Sequence, residues 1–170
     1  MTTRPDLSLD ALELSGIGTR FQEEIREHLD ELELTRDLER KEQDCLAGLL
    51  RVYAVPAGHE LFAEGDPAGY LALLLEGRMS VSKRRDDSGS CALYTLNPGK
   101  VFGEMALLDQ EPRSASVTAL TDCQIAVLTR DHFQRLCEGR SVLAVKLLLG
   151  LGRTLSQRLR RASGQLVDYL

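Results

Sequence analysis

With 170 residues, 43% of them hydrophobic, the chain can bury one domain-sized core and carry extra helices around it. A net charge of −5 excludes the basic footprint of a general nucleic-acid binder. The most apolar run, Val142 to Leu151, is too short to span a bilayer, and Met1 to Asp10 lacks the charged-then-apolar order of a secretion signal. The chain is therefore expected in the cytoplasm, away from the membrane.

Residues 1–18 are small and polar, and Gly16 and Gly18 break any early helix, so a flexible N-terminus is expected there. From Thr19, a candidate N-cap, Phe21, Ile25, Leu29 and Leu32 fall at helical spacing, with acidic residues on the other faces. That apolar stripe either packs on its own domain or serves as a docking or dimerisation face. A second helix is predicted over Arg40 to Leu50, completing N-terminal helices over residues 19–50.

The periodicity then changes. Strands are predicted at Arg51 to Val55, Glu60 to Ala63, Tyr70 to Leu75, Met79 to Lys83, Cys91 to Leu96, Ser116 to Ala119 and Gln124 to Leu128. Turn chemistry separates them at Pro56-Ala57-Gly58, Glu64-Gly65-Asp66-Pro67, Glu76-Gly77 and Asn97-Pro98-Gly99, and Asp87-Ser88-Gly89 reads as a hairpin tip. Short, evenly spaced strands predict an antiparallel β-barrel or jelly roll (a double-stranded β-helix) over residues 51–129. Helix returns over residues 130–170, as a short helix from Arg130 to Cys137 and a longer one from Ser141 to Ala162 or beyond. The long helix is apolar in its first half and basic in its second, at Arg153, Arg158, Arg160 and Arg161. The fold class is thus α+β, a β-barrel or jelly roll flanked by helices. Cys45, Cys91, Cys123 and Cys137 lack metal-site spacing and read as small buried hydrophobes.

The chemistry concentrates in residues 102–117, F-G-E-M-A-L-L-D-Q-E-P-R-S-A-S-V. Arg113 offers a phosphate a planar fork of donors, and Glu104 can accept from a sugar hydroxyl. Gly103 permits close backbone approach, and one helical turn over Met105, Ala106, Leu107 and Leu108 would present N–H groups to an anion. Placed near Arg113, Glu104 would also compensate its charge. Taken alone, the pattern fits a structural ion pair beside a tight turn as readily as a sugar-phosphate pocket.

The surrounding residues add weight to the pocket. Val55-Pro56-Ala57-Gly58, Leu61-Phe62 with Glu64-Gly65-Asp66, Glu76-Gly77, Asn97-Pro98-Gly99 and the whole of Phe102 to Val117 occur in one order and spacing. In these the chain, from about Leu38 to Gln165, resembles the cyclic nucleotide-binding domain of protein kinase A regulatory subunits, cyclic-nucleotide-gated channels and bacterial catabolite activators. The resemblance implies that residues 102–117 form the phosphate-binding cassette. Glu104 would take the ribose 2′-hydroxyl and Arg113 the exocyclic phosphate oxygens, with Gly103, Met105, Ala106 and Ser114 completing the cradle. Val81 and Leu93 would flank sugar and base, and both also read as core residues. The base would be capped from the last helix, where Ser163 keeps a hydroxyl and Ala162 does not; Arg158, Arg160, Arg161 and Tyr169 are alternatives.

The resemblance further implies a cyclic nucleotide ligand, cAMP favoured and cGMP left open by Ser114, no cofactor, and an unidentified effector protein. The helix-turn-helix that follows the long helix in catabolite activators has no room before Leu170, so a stand-alone sensor without direct DNA binding is expected. His28, His59 and His132 lie in separate elements and suggest neither catalysis nor a metal site. The rival reading is a degenerate domain serving as an interaction scaffold, with a homodimer through the helices as one form of it.

Overall fold

A computed structural model of the chain describes residues 9–10, 12–17, 21–85 and 89–167. In chain order its elements are β1 (Glu13–Ile17), α1 (Gln22–Glu31), a 3₁₀ turn (Glu33–Thr35), α2 (Arg40–Leu49), β2 (Arg51–Val55), β3 (Glu60–Phe62), β4 (Tyr70–Glu76) and β5 (Met79–Arg84). There follow β6 (Ser90–Leu96), β7 (Val101–Phe102), α3 (Met105–Asp109), β8 (Ser116–Ala119), β9 (Cys123–Thr129), α4 (Arg130–Gly139) and α5 (Ser141–Val167).

The strands form two antiparallel sheets, ordered β1-β2-β9-β4-β7 and β3-β8-β5-β6. The expected jelly roll is present, built as two sheets rather than one closed barrel. The sequence of β4, Y-L-A-L-L-L-E, explains the layering. Leu71, Leu73 and Leu75 join the core beneath the helices, while Tyr70, Ala72 and Leu74 join the core between the sheets. Strand β9 divides in the same way, Ala126 and Leu128 against Ile125 and Val127. A sheet buried on both faces needs near-continuous apolar strands, whereas β5 alternates because only one face is covered.

The helices close over the free face of the first sheet. Ile25 and Leu29 of α1 enter the helix-side core, so its apolar stripe packs on the chain's own domain. Leu143, Leu147 and Leu151 recur every four residues on α5 and enter the same core. In the first half of α5 a Cβ on Gly150 would overlap the Leu34 carbonyl, so glycine is what lets α5 lie directly on the 3₁₀ turn. Ion pairs reinforce this seam, Lys146 with Glu42 at 2.7 Å and Arg153 with Asp37 at 2.7 Å. Helix α4 starts at Thr129, whose hydroxyl accepts from the His132 backbone N–H at 3.3 Å.

Within the stretch expected to be flexible, Glu13–Ile17 form strand β1, which pairs along the edge of β2. Strand β7 was also not anticipated. Cys91, expected to be buried, is exposed on β6, and all four cysteines are free thiols. Thr19, Tyr169 and the Asp87-Ser88 part of the expected hairpin tip lie outside the described residues.

Candidate functional site

Strand β7 leaves the sheet at Gly103, whose φ of 71° is a left-handed conformation suited to glycine. The same glycine makes room: a Cβ there would lie 2.6 Å from Arg113 Nη1. Arg113 Nη1 donates to the carbonyls of Tyr70 at 2.9 Å and Gly103 at 3.2 Å. Its guanidinium carbon sits 4.0 Å from the Phe62 ring centroid and 4.3 Å from that of Tyr70. Two aromatic faces and two carbonyls thus hold the charge at 3% exposure. The backbone is pinned as well, since Arg113 N–H donates to Asp66 O at 2.9 Å and Gly65 N–H donates to Arg113 O at 2.8 Å. The expected Glu64-Gly65-Asp66 turn is therefore the brace behind Arg113.

Glu104 lies at the start of α3 and is also 3% exposed. The charge paired with it in the structure comes from α5, through a short ion pair with Arg158 Nη1. Arg158 Nη2 also donates to the Val101 carbonyl at 2.7 Å, so one guanidinium ties α5 to both β7 and the start of α3.

Glu104 and Arg113 line one cavity of about 160 Å³. Gly103, Met105 and Ser114 line it too, and the Ser114 hydroxyl lies 3.8 Å from Met105 Sδ. Ala106 is part of the short helix α3. Val81 forms a buried wall of the cavity. Leu93 does not line it and is 51% exposed; its neighbour Tyr94 lines it instead. An unbulged ladder begun at Arg84–Ser90 would set Leu93 opposite Val81, but the register shifts between Val81 and Ser82 and sets Tyr94 there. Burial raises the Tyr94 phenol above its ordinary value, an effect opposed by the nearby Arg158 charge and reinforced by Glu104.

A second cavity of about 690 Å³ adjoins the first and shares Tyr94 and Arg158 with it. Arg161 and Ala162 line this larger space, whereas Ser163 is exposed and lines neither cavity. Arg160 is exposed and bonds the Ser156 hydroxyl of its own helix at 3.4 Å. Tyr94 has no distinguishing signal in the sequence beyond its alternation with Leu93. Arg158 is visible only as one basic residue among several. Among the described residues no three metal-binding side chains cluster, and no helix is long and apolar enough to cross a membrane.

The family described as the cyclic nucleotide-binding domain matches residues 53–140. Over 115 residues, 68% of this chain, the sequence is 31% identical to a CRP-like cAMP-activated global transcriptional regulator of Mycobacterium tuberculosis. The matched part is 50% of that protein, so the chain spans about half the length of this curated relative. The fold superposes on a cyclic nucleotide-binding domain from Methylobacillus flagellatus with a TM-score of 0.84 at 30% identity, covering 100% of this chain and 93% of the other. It also matches the regulatory domain of Toxoplasma gondii PKA, solved as a co-crystal with cAMP, with a TM-score of 0.63 at 29% identity, covering 67% and 43%. By its sequence match and by its fold, the chain belongs to the cyclic nucleotide-binding domain family.

Proposed function

We propose that this domain is a cyclic nucleotide sensor that binds cAMP in preference to cGMP and signals through movement of its C-terminal helices. The observation that carries the reading is Arg113, a buried cation held by two rings and two carbonyls at the wall of a cavity that also contains Glu104 and Ser114. In this reading Arg113 takes the exocyclic phosphate, and Glu104 accepts from the ribose 2′-hydroxyl. Backbone groups at Gly103, Met105 and Ala106, with Ser114, complete the cradle, and the Val81 wall flanks the sugar. The relative from Toxoplasma gondii, solved with cAMP, supports the choice of ligand.

A ribose hydroxyl arriving at Glu104 meets the Arg158 contact, and through it α5. Ligand moves α5 only to the extent that it binds the two helix arrangements with different affinity. The output passes to a separate effector protein. The sensor works in the cytoplasm, performs no catalysis and uses no cofactor.

Isothermal titration with cAMP and cGMP tests this reading directly. Micromolar or tighter binding of cAMP is expected, and absence of binding by folded protein to both nucleotides would refute it. Arg113→Ala should weaken cAMP by about 3–5 kcal/mol, the loss of a two-pronged charged contact. Arg113→Lys should recover part of this, because it keeps the charge but not the fork. Arg113→Ala binding like the parent would remove Arg113 from the site.

One further observation favours self-association beside sensing. Val142, Val145, Leu149 and Leu159 of α5 are each more than half exposed, at heptad a and d spacing. Lys146 and Arg153 leave that stripe uncharged because they turn away to pair with Glu42 and Asp37. A homodimer through α5 is the form of scaffold this surface suits.

A further inference from the structure

The cavity holding Glu104 and Arg113 is lined by three carboxylates, Glu104, Asp109 and Glu111, against two guanidiniums, Arg113 and Arg158. Among the described residues no lysine or histidine lines it. Glu104 and Arg158 are paired with each other. An arriving ligand therefore faces the buried Arg113 cation at the wall and two exposed carboxylates, Asp109 and Glu111, at the rim. A turn fixes the rim. Asp109 closes α3, Gln110 follows with a left-handed φ of 61°, and Asp109 Oδ1 accepts from the Glu111 backbone N–H at 3.1 Å. Neither rim carboxylate enters an ion pair among the described residues. A cleft that gathers polyanions carries a surplus of cations, whereas this lining carries a surplus of anions.

On the reading of this site as a cyclic nucleotide pocket, we infer that Asp109 and Glu111 form a charge filter at its rim. The filter admits a monoanionic phosphodiester and turns away nucleotides of higher charge. A cyclic phosphodiester carries one negative charge, which Arg113 answers. An open 5′-monophosphate loses its second proton near pH about 6 and is close to a dianion above it. Arg158, the other guanidinium of the lining, is already engaged by Glu104, so the second charge meets the rim instead. A rounded cavity of about 160 Å³ is about 7 Å across, which puts a ligand charge within about 10 Å of the rim; through water, each carboxylate then opposes each ligand charge by about a factor of two in affinity. Two carboxylates accordingly weaken a monoanion about fourfold and a dianion about sixteenfold, and the difference between the two is the selectivity.

The test is calorimetric titration of cAMP, and its displacement by adenosine 5′-monophosphate, at pH about 7.5 in low salt and again at about 0.5 M salt, where charges this far apart are screened. The proteins are the parent, Glu111→Gln, the double variant Asp109→Asn with Glu111→Gln, and a control that replaces the distant exposed Glu27 and Glu138 with Gln. Asparagine at 109 keeps an oxygen for the Glu111 N–H, so the turn is preserved. In low salt the double variant is expected to bind cAMP about fourfold and the 5′-monophosphate about sixteenfold tighter than the parent, and Glu111→Gln alone about twofold and fourfold. Both gains should shrink toward none at about 0.5 M salt, and the control should match the parent. Equal gains for the two nucleotides, no gain, or the same gain from the distant control would overturn the filter while leaving the Arg113 pocket standing. A 5′-monophosphate that displaces cAMP from neither the parent nor the double variant would overturn it too, because shape alone would then exclude the dianion. A parent that binds no cyclic nucleotide would overturn both readings.

Discussion

Replacing Arg158 with alanine strands the Glu104 carboxylate, and the cost follows from the exposure of each partner. Removing one member of a fully buried ion pair costs about 3–5 kcal/mol, because an uncompensated charge is left in a low-dielectric site. Glu104 meets that description at 3% exposed, but the Arg158 side chain is 38% exposed. Water reaches the pair from the α5 side and replaces part of what is lost. Arg158→Ala should therefore destabilise the ligand-free protein by about 1.5–3 kcal/mol. Glu104→Gln removes the charge in place and leaves Arg158 its bond to the Val101 carbonyl, so about 1 kcal/mol is expected.

In the double variant no charge is stranded. Its loss should fall short of the sum of the single losses by about 1–2 kcal/mol. Urea unfolding of the four proteins measures this coupling, provided the denaturant slopes agree. Additivity within about 0.5 kcal/mol would refute the reasoning, because α5 would then not be tied to Glu104 by charge.

Burial, with Arg51 nearby, holds His132 below its ordinary 6.5, while a hydrogen bond to the Leu49 backbone opposes the shift. The folded state then binds fewer protons than the unfolded state, so stability is full above pH about 6.5 and declines as the pH falls toward the lowered value. His132→Gln should flatten that decline in urea midpoints measured from pH about 8 to about 5, and a parent-to-variant gap that stays constant across this range would refute it. For self-association, light scattering of the parent should give the mass of a dimer, and Leu149→Glu, which puts a charge into the apolar stripe of α5, should give a monomer; a monomeric parent would dismiss the α5 interface.

The sheets were legible where burial leaves a periodic trace. The unbroken apolar run of β4 and the alternation of β5 follow from two covered faces and one. Strand β7 is only 2 residues long, too short to carry any period, and it is assigned by its bonding to β4. Strand β1 contains Gly16 beside an irregular register and is held by pairing with β2, which no local pattern announces. The displacement from Leu93 to Tyr94 has the same origin. A single bulge in the β5–β6 ladder changes which side chain faces Val81, and neither strand's composition reveals it. Glu104 and Arg113 stood out because glycine and proline precede them. Arg158 did not, since its partner is 54 positions away.

That contrast separates two halves of the site by what holds them. Arg113 is braced by Phe62, Tyr70, Gly103 and the 63–66 turn, all parts of the β framework. Glu104 is met by Arg158, which rides on α5. A phosphate on Arg113 would meet a side chain already held in position, with little to reorganise, so its main effect is on affinity. A ribose on Glu104 would compete with or share the contact that pins α5, so its free energy depends on where α5 lies. Affinity and coupling should accordingly come apart under mutation: Arg113 variants lose binding, whereas Arg158 variants alter how far binding moves the helix.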